Sequence, residues 1–198
     1  MTDVNYKKRS NGALMSLNSM PDAVDNGETD ALPYDLIELL FFAYRDFTAD
    51  PDDQLAQFEF GRAHHRVLHF VDRNPGIMVT DLLSILRITK QSLGRVLKQL
   101  VDQDFIEQHP GPIDRRQRLL YTTTKGHDLA GRLAVLQSKR LERAINGLPD
   151  NGADVVRQFL FQMINEDIRP DVAKLVNKKY KPPAPTTTKG LPDSLTGK

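Results

Sequence analysis

Between Arg87 and Gly126 the chain reads as a short amphipathic helix followed by a hairpin, and both carry segregated positive charge. From Arg87 to Leu100 there are four bases (Arg87, Lys90, Arg95, Lys98) and no acid; from Arg115 to Lys125 there are four more (Arg115, Arg116, Arg118, Lys125), again with no acid. Residues 28 to 59 invert the pattern, with nine acids (Glu28, Asp30, Asp35, Glu38, Asp46, Asp50, Asp52, Asp53, Glu59) against the single base Arg45. The whole-chain balance of 27 basic and 26 acidic residues hides this separation. Charge sorted in this way predicts a face that binds a polyanion on an otherwise neutral protein.

Thr89 is placed to cap a helix running to about Gln103, in which Leu93, Val96, Leu97 and Leu100 repeat at i, i+3, i+4 and i+7. At about 100° per residue, Gln91, Arg95 and Lys98 fall on the opposite face. Thr80 suits the cap of a preceding short helix with Leu82, Leu83 and Leu86. Two short helices joined tightly, the second showing Gln and Arg outward, meet the requirements of a helix-turn-helix. The major groove admits such a helix, and Arg or Gln can make paired hydrogen bonds to guanine or adenine. Phe105–His109 and Leu119–Thr123 then read as two strands around the loop Pro110-Gly111-Pro112-Ile113-Asp114-Arg115-Arg116.

The remaining segments read as helices and tails. Pro33 suits the first turn of a helix carrying Leu36, Ile37, Leu39, Leu40, Phe41, Phe42, Tyr44 and Phe47. Apolar on nearly all sides, this helix needs more cover than so small a chain supplies, which points to a second copy. Asp50-Pro51-Asp52 is expected to break it, and a second helix to run until Asn74-Pro75-Gly76. Helices resume through Leu129, Leu133, Leu136, Leu141, Ile145 and Leu148, then through Val155, Phe159, Leu160, Met163 and Ile164, with Pro149-Asp150-Asn151-Gly152 between them and Pro170 just past the second. Residues 1–30 and 177–198 are too polar or too rich in Pro to offset the entropy of ordering, so a mobile arm and tail are expected there. Lys178, Lys179 and Lys181 in that tail are read chiefly as solubilising, with contact to DNA phosphates as the alternative.

Several function classes fall away. No cysteine is present, which removes disulfides and thiolate metal sites and suits a cytoplasmic protein. The longest apolar run, Leu39–Tyr44, is far too short to cross a bilayer. There is no glycine-rich phosphate loop, no Gly-x-Ser-x-Gly elbow and no carboxylate pair tied to a cleft, so an enzyme is not expected and no cofactor is implied. His65 and His69 stand one helical turn apart beside His64, but without a nearby acid or thiol set they are read as packing residues, not metal ligands.

The order of elements over about residues 32–168 resembles the winged-helix regulators of the MarR (multiple antibiotic resistance) family. The most specific part is Asp114-x-Arg116 followed by Leu119, Thr122-Thr123 and Gly126. The resemblance implies a mainly α fold with a small β-hairpin wing, a domain over 31–170, a DNA-binding unit over 80–124, and dimerisation helices over 32–48 and 126–168. It implies that Arg116 enters the minor groove with Asp114 as its orienting partner, flanked by Arg115 and Arg118 at phosphates. Thr89, Lys90, Gln91, Ser92, Arg95 and Lys98 would belong to the start and exposed face of the recognition helix. A homodimer, usually a repressor, would then read a near-palindromic duplex. Some family members release DNA when a small aromatic or phenolic acid binds near the dimer helices, and Tyr44, Arg45, His65 and Arg66 are the candidates here. The chain departs from the family at Asp104, where Gly is usual, at Glu107-Gln108, where an Arg is common, and at Thr122, where Leu is usual. The alternative is a winged-helix module that docks a protein partner and binds DNA only without sequence preference.

Overall fold

The computed structural model describes residues 32–178; the expected arm, and the expected tail beyond Lys178, lie outside the described residues. Among the described residues seven α-helices and three short strands follow in the order α1 (Tyr34–Ala56), α2 (Arg62–Arg73), β1 (Ile77–Met78), α3 (Val79–Leu86), α4 (Lys90–Asp102), β2 (Ile106–Pro110), β3 (Arg118–Thr122), α5 (Thr124–Ile145), α6 (Gly152–Gln162) and α7 (Arg169–Val176), with one 3-10 turn (Glu166–Ile168) before α7. The sheet is antiparallel with β3 central; β2 pairs from Ile106↔Thr122 to Pro110↔Arg118, and β1 adds Ile77↔Leu120 and Met78↔Leu119.

One core serves all of these elements. Val67, Leu68 and Val71 of α2 meet Leu82 and Leu86 of α3, the Leu93/Val96/Leu97/Leu100 stripe of α4, Phe105, Ile106 and Leu120 of the wing base, and Leu129 and Leu133 of α5. The periodicity of α4 is thus spent on the core, which leaves its opposite face to solvent.

Two junctions set how the wing leaves this core. Gly76 sits at φ +82, a left-handed turn that only a residue without Cβ adopts freely, and it delivers the chain into β1. At Gly126 a Cβ would lie 1.9 Å from the Phe105 carbonyl oxygen, so the first turn of α5 can press against the backbone that leads from α4 into β2 only as glycine. Gly126→Ala is therefore expected to destabilise the fold by on the order of 3 kcal/mol, seen as a lowered Tm in a thermal melt; an unshifted Tm would contradict the close approach.

Three expectations are corrected. Asp50-Pro51-Asp52 does not break α1, which runs through Pro51 to Ala56. The missing hydrogen bond is outweighed because the extra turn buries Pro51 and Leu55, while Asp50 reaches Arg140 of α5 at 3.0 Å and Asp52 reaches Arg62 of α2 at 2.9 Å. These aspartates tie α1 to its neighbours. Thr80 does not cap α3: pairing of Ile77 and Met78 with β3 holds the backbone extended as far as Met78, and the helix begins directly at Val79. Pro170 lies past α6, as placed from the sequence, and in the first turn of the further helix α7. The predicted strands are offset by one residue, with β2 ending at Pro110 and β3 beginning at Arg118.

Candidate nucleic-acid interface

Thr89 caps α4 as expected: its Oγ1 accepts from the Ser92 backbone N–H at 3.1 Å and donates to Ser92 Oγ at 2.9 Å. Both hydroxyls are thus occupied in fixing where the helix starts. Behind them, Lys90, Gln91, Arg95 and Lys98 are all exposed on the face away from the buried stripe. Asp104, in the turn after α4, takes φ 61, the left-handed conformation that Asp tolerates where the family prefers Gly.

The wing tip is locked by short-range hydrogen bonds. Gly111 N–H donates to Gln117 O at 3.1 Å and Gln117 N–H to Asp114 O at 3.0 Å. Asp114 Oδ1 accepts from the Arg116 backbone N–H at 2.9 Å, and Arg118 donates to Arg115 O at 3.2 Å. Asp114 thus orients Arg116 through its main chain and leaves the guanidinium projecting from the loop. Gly94, Lys98 and Asp102 of α4 and Gln108 and Arg118 of the wing line one groove, so the exposed faces of helix and hairpin adjoin.

The eight bases of the two clusters divide by what they touch. Lys125 donates to Gln103 O at 2.8 Å and lies over the Phe105 ring, so it secures the end of α4. Lys98 pairs with Asp102 at 2.5 Å and Arg87 with Asp167 at 3.6 Å, both in exposed settings where such pairs contribute little. Among the described residues, the charged groups of Lys90, Arg95, Arg115 and Arg116 have no intramolecular partner.

Two polar links between elements, each partly buried, were not legible from sequence. His64 of α2 accepts the Gly61 N–H on Nδ1 at 3.1 Å, which places its proton on Nε2, 2.6 Å from Gln99 Oε1 of α4; its ring also stacks on Phe60. Asp72 Oδ1 accepts from Thr122 Oγ1 at 3.0 Å and from His127 Nδ1 at 2.8 Å, joining α2, β3 and α5. Thr122, where the family usually has Leu, supplies a second donor, beside His127, to the buried Asp72 carboxylate. His64 is thereby a packing residue. Among the described residues no group of three or more His, Cys, Asp or Glu is placed to hold a metal ion.

On the other side of α2 an open cleft of about 560 Å³ is lined by Tyr44, Phe47, Arg62, His65, Arg66 and Phe70 among others. The structure brings Tyr44, His65 and Arg66 together there but not Arg45, whose Nε pairs with Asp46 at 2.8 Å. Arg66 also donates to the Leu86 carbonyl at 3.2 Å, so the cleft is linked to the end of α3. Lys178, expected in the tail, donates to Asn74 Oδ1 at 3.1 Å. No helix among the described residues is long and apolar enough to cross a membrane.

A helix-turn-helix with a cationic hairpin beside its second helix defines the winged helix-turn-helix class. Residues 59–117 match the model of the MarR family. The chain is 45% identical over 133 residues to the HTH-type transcriptional regulator PetP of Rhodobacter capsulatus, a match covering 67% of this chain and 80% of that protein. The chain belongs to the MarR family of helix-turn-helix transcriptional regulators. In fold it is similar to the crystal structure of MarR (TM-score 0.56, 19% identity, 75% of this chain and 99% of that one). It is likewise similar to Streptococcus pneumoniae FabT in complex with DNA (TM-score 0.60, 16% identity, 70% of this chain and 98% of that one).

Proposed function

We propose that this regulator acts as a homodimer on a near-palindromic duplex, α4 of each protomer entering a major groove and each wing reaching the flanking minor groove, with repression as the outcome. The observation that carries the reading is the set of unpartnered cations, Lys90 and Arg95 on α4 and Arg115 and Arg116 on the wing, held outward on elements that border one groove. A cation with no protein partner is available for phosphates and base edges at no cost in broken ion pairs. FabT, which shares the fold, has been captured in complex with DNA, which supports the same use of the surface here. Capture of the genomic fragments bound by the full chain tests the reading. An inverted repeat with half-sites one helical turn apart is expected; a set of fragments with no shared sequence would favour the protein-docking alternative.

The dimer is supported by what α1 and α6 leave uncovered. Leu36, Ile37, Leu39, Leu40, Phe41 and Phe42 are each 40–68% exposed, and Val155, Phe159, Leu160 and Met163 each 49–54%. Apolar surface on this scale, gathered on α1 and α6, supports an interface there.

The cleft beside α2 is proposed to take a small aromatic or phenolic acid. Tyr44, Phe47 and Phe70 supply apolar walls, while Arg62 and Arg66 supply positive charge. An anion drawn to Arg66 competes with the Leu86 carbonyl that Arg66 now holds, so occupancy would loosen the end of α3. Burial first, and the charge of neighbouring His69 second, hold the His65 imidazole below its ordinary value. The folded protein therefore resists protonation at His65 that the unfolded chain accepts. Stability is retained above about pH 6.5 and lost as pH falls through the lowered folded value. Melts at about pH 7.5 and about pH 5.5 are expected to show a lower Tm at the acid end, with a smaller drop in His65→Gln. An equal drop in both proteins would remove His65 as a cause.

A further inference from the structure

We propose that Ile113, at the tip of the wing, is an apolar contact made inside the minor groove, where it gives up its water against the deoxyribose walls beside Arg116. The proposal rests on the DNA-binding reading above and adds a residue that charge alone does not point to.

Ile113 is 99% exposed. The other exposed large hydrophobic residues among those described lie on or beside α1, from Leu32 to Tyr44, and on or beside α5, α6 and α7, from Val135 to Val176. Between Tyr44 and Val135 the winged-helix unit conceals its large apolar side chains and shows this one. A single exposed apolar residue is ordinary on a mobile loop. This loop, however, is closed by four hydrogen bonds, from Gly111 to Gln117, Gln117 to Asp114, Arg116 to Asp114 and Arg118 to Arg115. Its closure is tight enough that a Cβ at Gly111 would stand 2.6 Å from the Asp114 carbonyl oxygen. Pro110 and Pro112 fix φ on the entering side. The frame that holds Arg116 outward therefore holds Ile113 outward too, so little ordering entropy is lost when the tip is buried.

The position selects the partner. A wing tip flanked by Asp114, Arg115, Arg116 and Arg118 makes a poor docking site for an apolar protein surface, because contact would desolvate those charges. In the minor groove the guanidinium meets acceptors on the base edges and backbone, while the sugar C–H walls accept an aliphatic side chain. Proteins that use this groove commonly place Ile, Leu, Met, Phe or Pro within it.

The test uses the full chain and a duplex enriched from a random-sequence pool by the wild-type protein. Ile113→Ser, Ile113→Leu and Arg116→Ala are titrated by fluorescence anisotropy at several salt concentrations. Ile113→Ser is expected to bind about tenfold more weakly, equivalent to about 1.4 kcal/mol, with the wild-type slope of log affinity against log salt, since no phosphate contact is lost. Ile113→Leu should recover affinity to within about twofold of wild type, whereas Arg116→Ala should lower the slope by about one. Wild-type affinity in Ile113→Ser would overturn the proposal. So would a reduced salt slope in that variant, because the loss would then come from displaced cations and a deformed wing. Failure of the wild-type protein to enrich any duplex would instead reject the DNA-binding reading, and the role of Ile113 with it.

Discussion

Arg116→Ala is expected to weaken binding to the enriched duplex by at least about tenfold while the protein stays folded and keeps its oligomeric state. The guanidinium has no intramolecular partner among the described residues, so its removal takes nothing from the protomer. The loop survives because Asp114 holds the main chain of residue 116, not its side chain. What is lost is a charge-assisted contact in a narrow groove of enhanced negative potential, worth about 1.5–3 kcal/mol. Anisotropy titration gives the affinity, and a melt with sedimentation analysis confirms that structure and assembly are kept. Unchanged affinity in a folded variant would reject Arg116 as the minor-groove residue.

The second large effect concerns assembly. The double variant Phe41→Glu, Phe159→Glu is expected to be a folded monomer that binds the inverted repeat at least about a hundredfold more weakly. Both side chains are more than half exposed in the protomer, at 68% and 51%, so placing charge there disturbs no core contact. Two linked half-site readers gain from effective concentration what one reader lacks. The wing and α4 of the variant remain intact, so its binding to non-specific DNA should be nearly that of an isolated wild-type half. Sedimentation equilibrium that still reports a dimer would show that the apolar faces of α1 and α6 are not its interface.

How much of this was legible before the structure depended on the range of the forces involved. The stripe of α4 and the cap at Thr89 are local, and local periodicity exposes them; the same holds for Asp104, whose left-handed backbone is a property of one turn. The run through Pro51 was not legible, because Leu55 and the Asp50–Arg140 and Asp52–Arg62 pairs draw on residues distant in sequence. The strand β1 has two residues and exists only through β3. His64–Gln99 and Asp72–Thr122–His127 join positions 35 to 55 residues apart, and no spacing in the sequence announces such pairings. Charge counting found the cationic surface but could not tell which bases were already engaged. Lys125 secures the end of α4, Lys98 pairs along its own helix with Asp102, and Arg45 with its neighbour Asp46. Ile113 carries no signal in the sequence because an apolar residue among arginines has no periodic partner, and its exposure is a property of the closed loop.

The most direct test of the central claim is a salt-series titration of the full chain against its enriched duplex and a scrambled duplex of the same composition. Cations on α4 and the wing acting together predict a preference of about a thousandfold or more near physiological salt. They also predict an affinity for both duplexes that falls steeply as salt rises. Equal affinity for the two duplexes, whatever its salt dependence, would contradict a sequence-reading surface and leave only a polyanion-binding one.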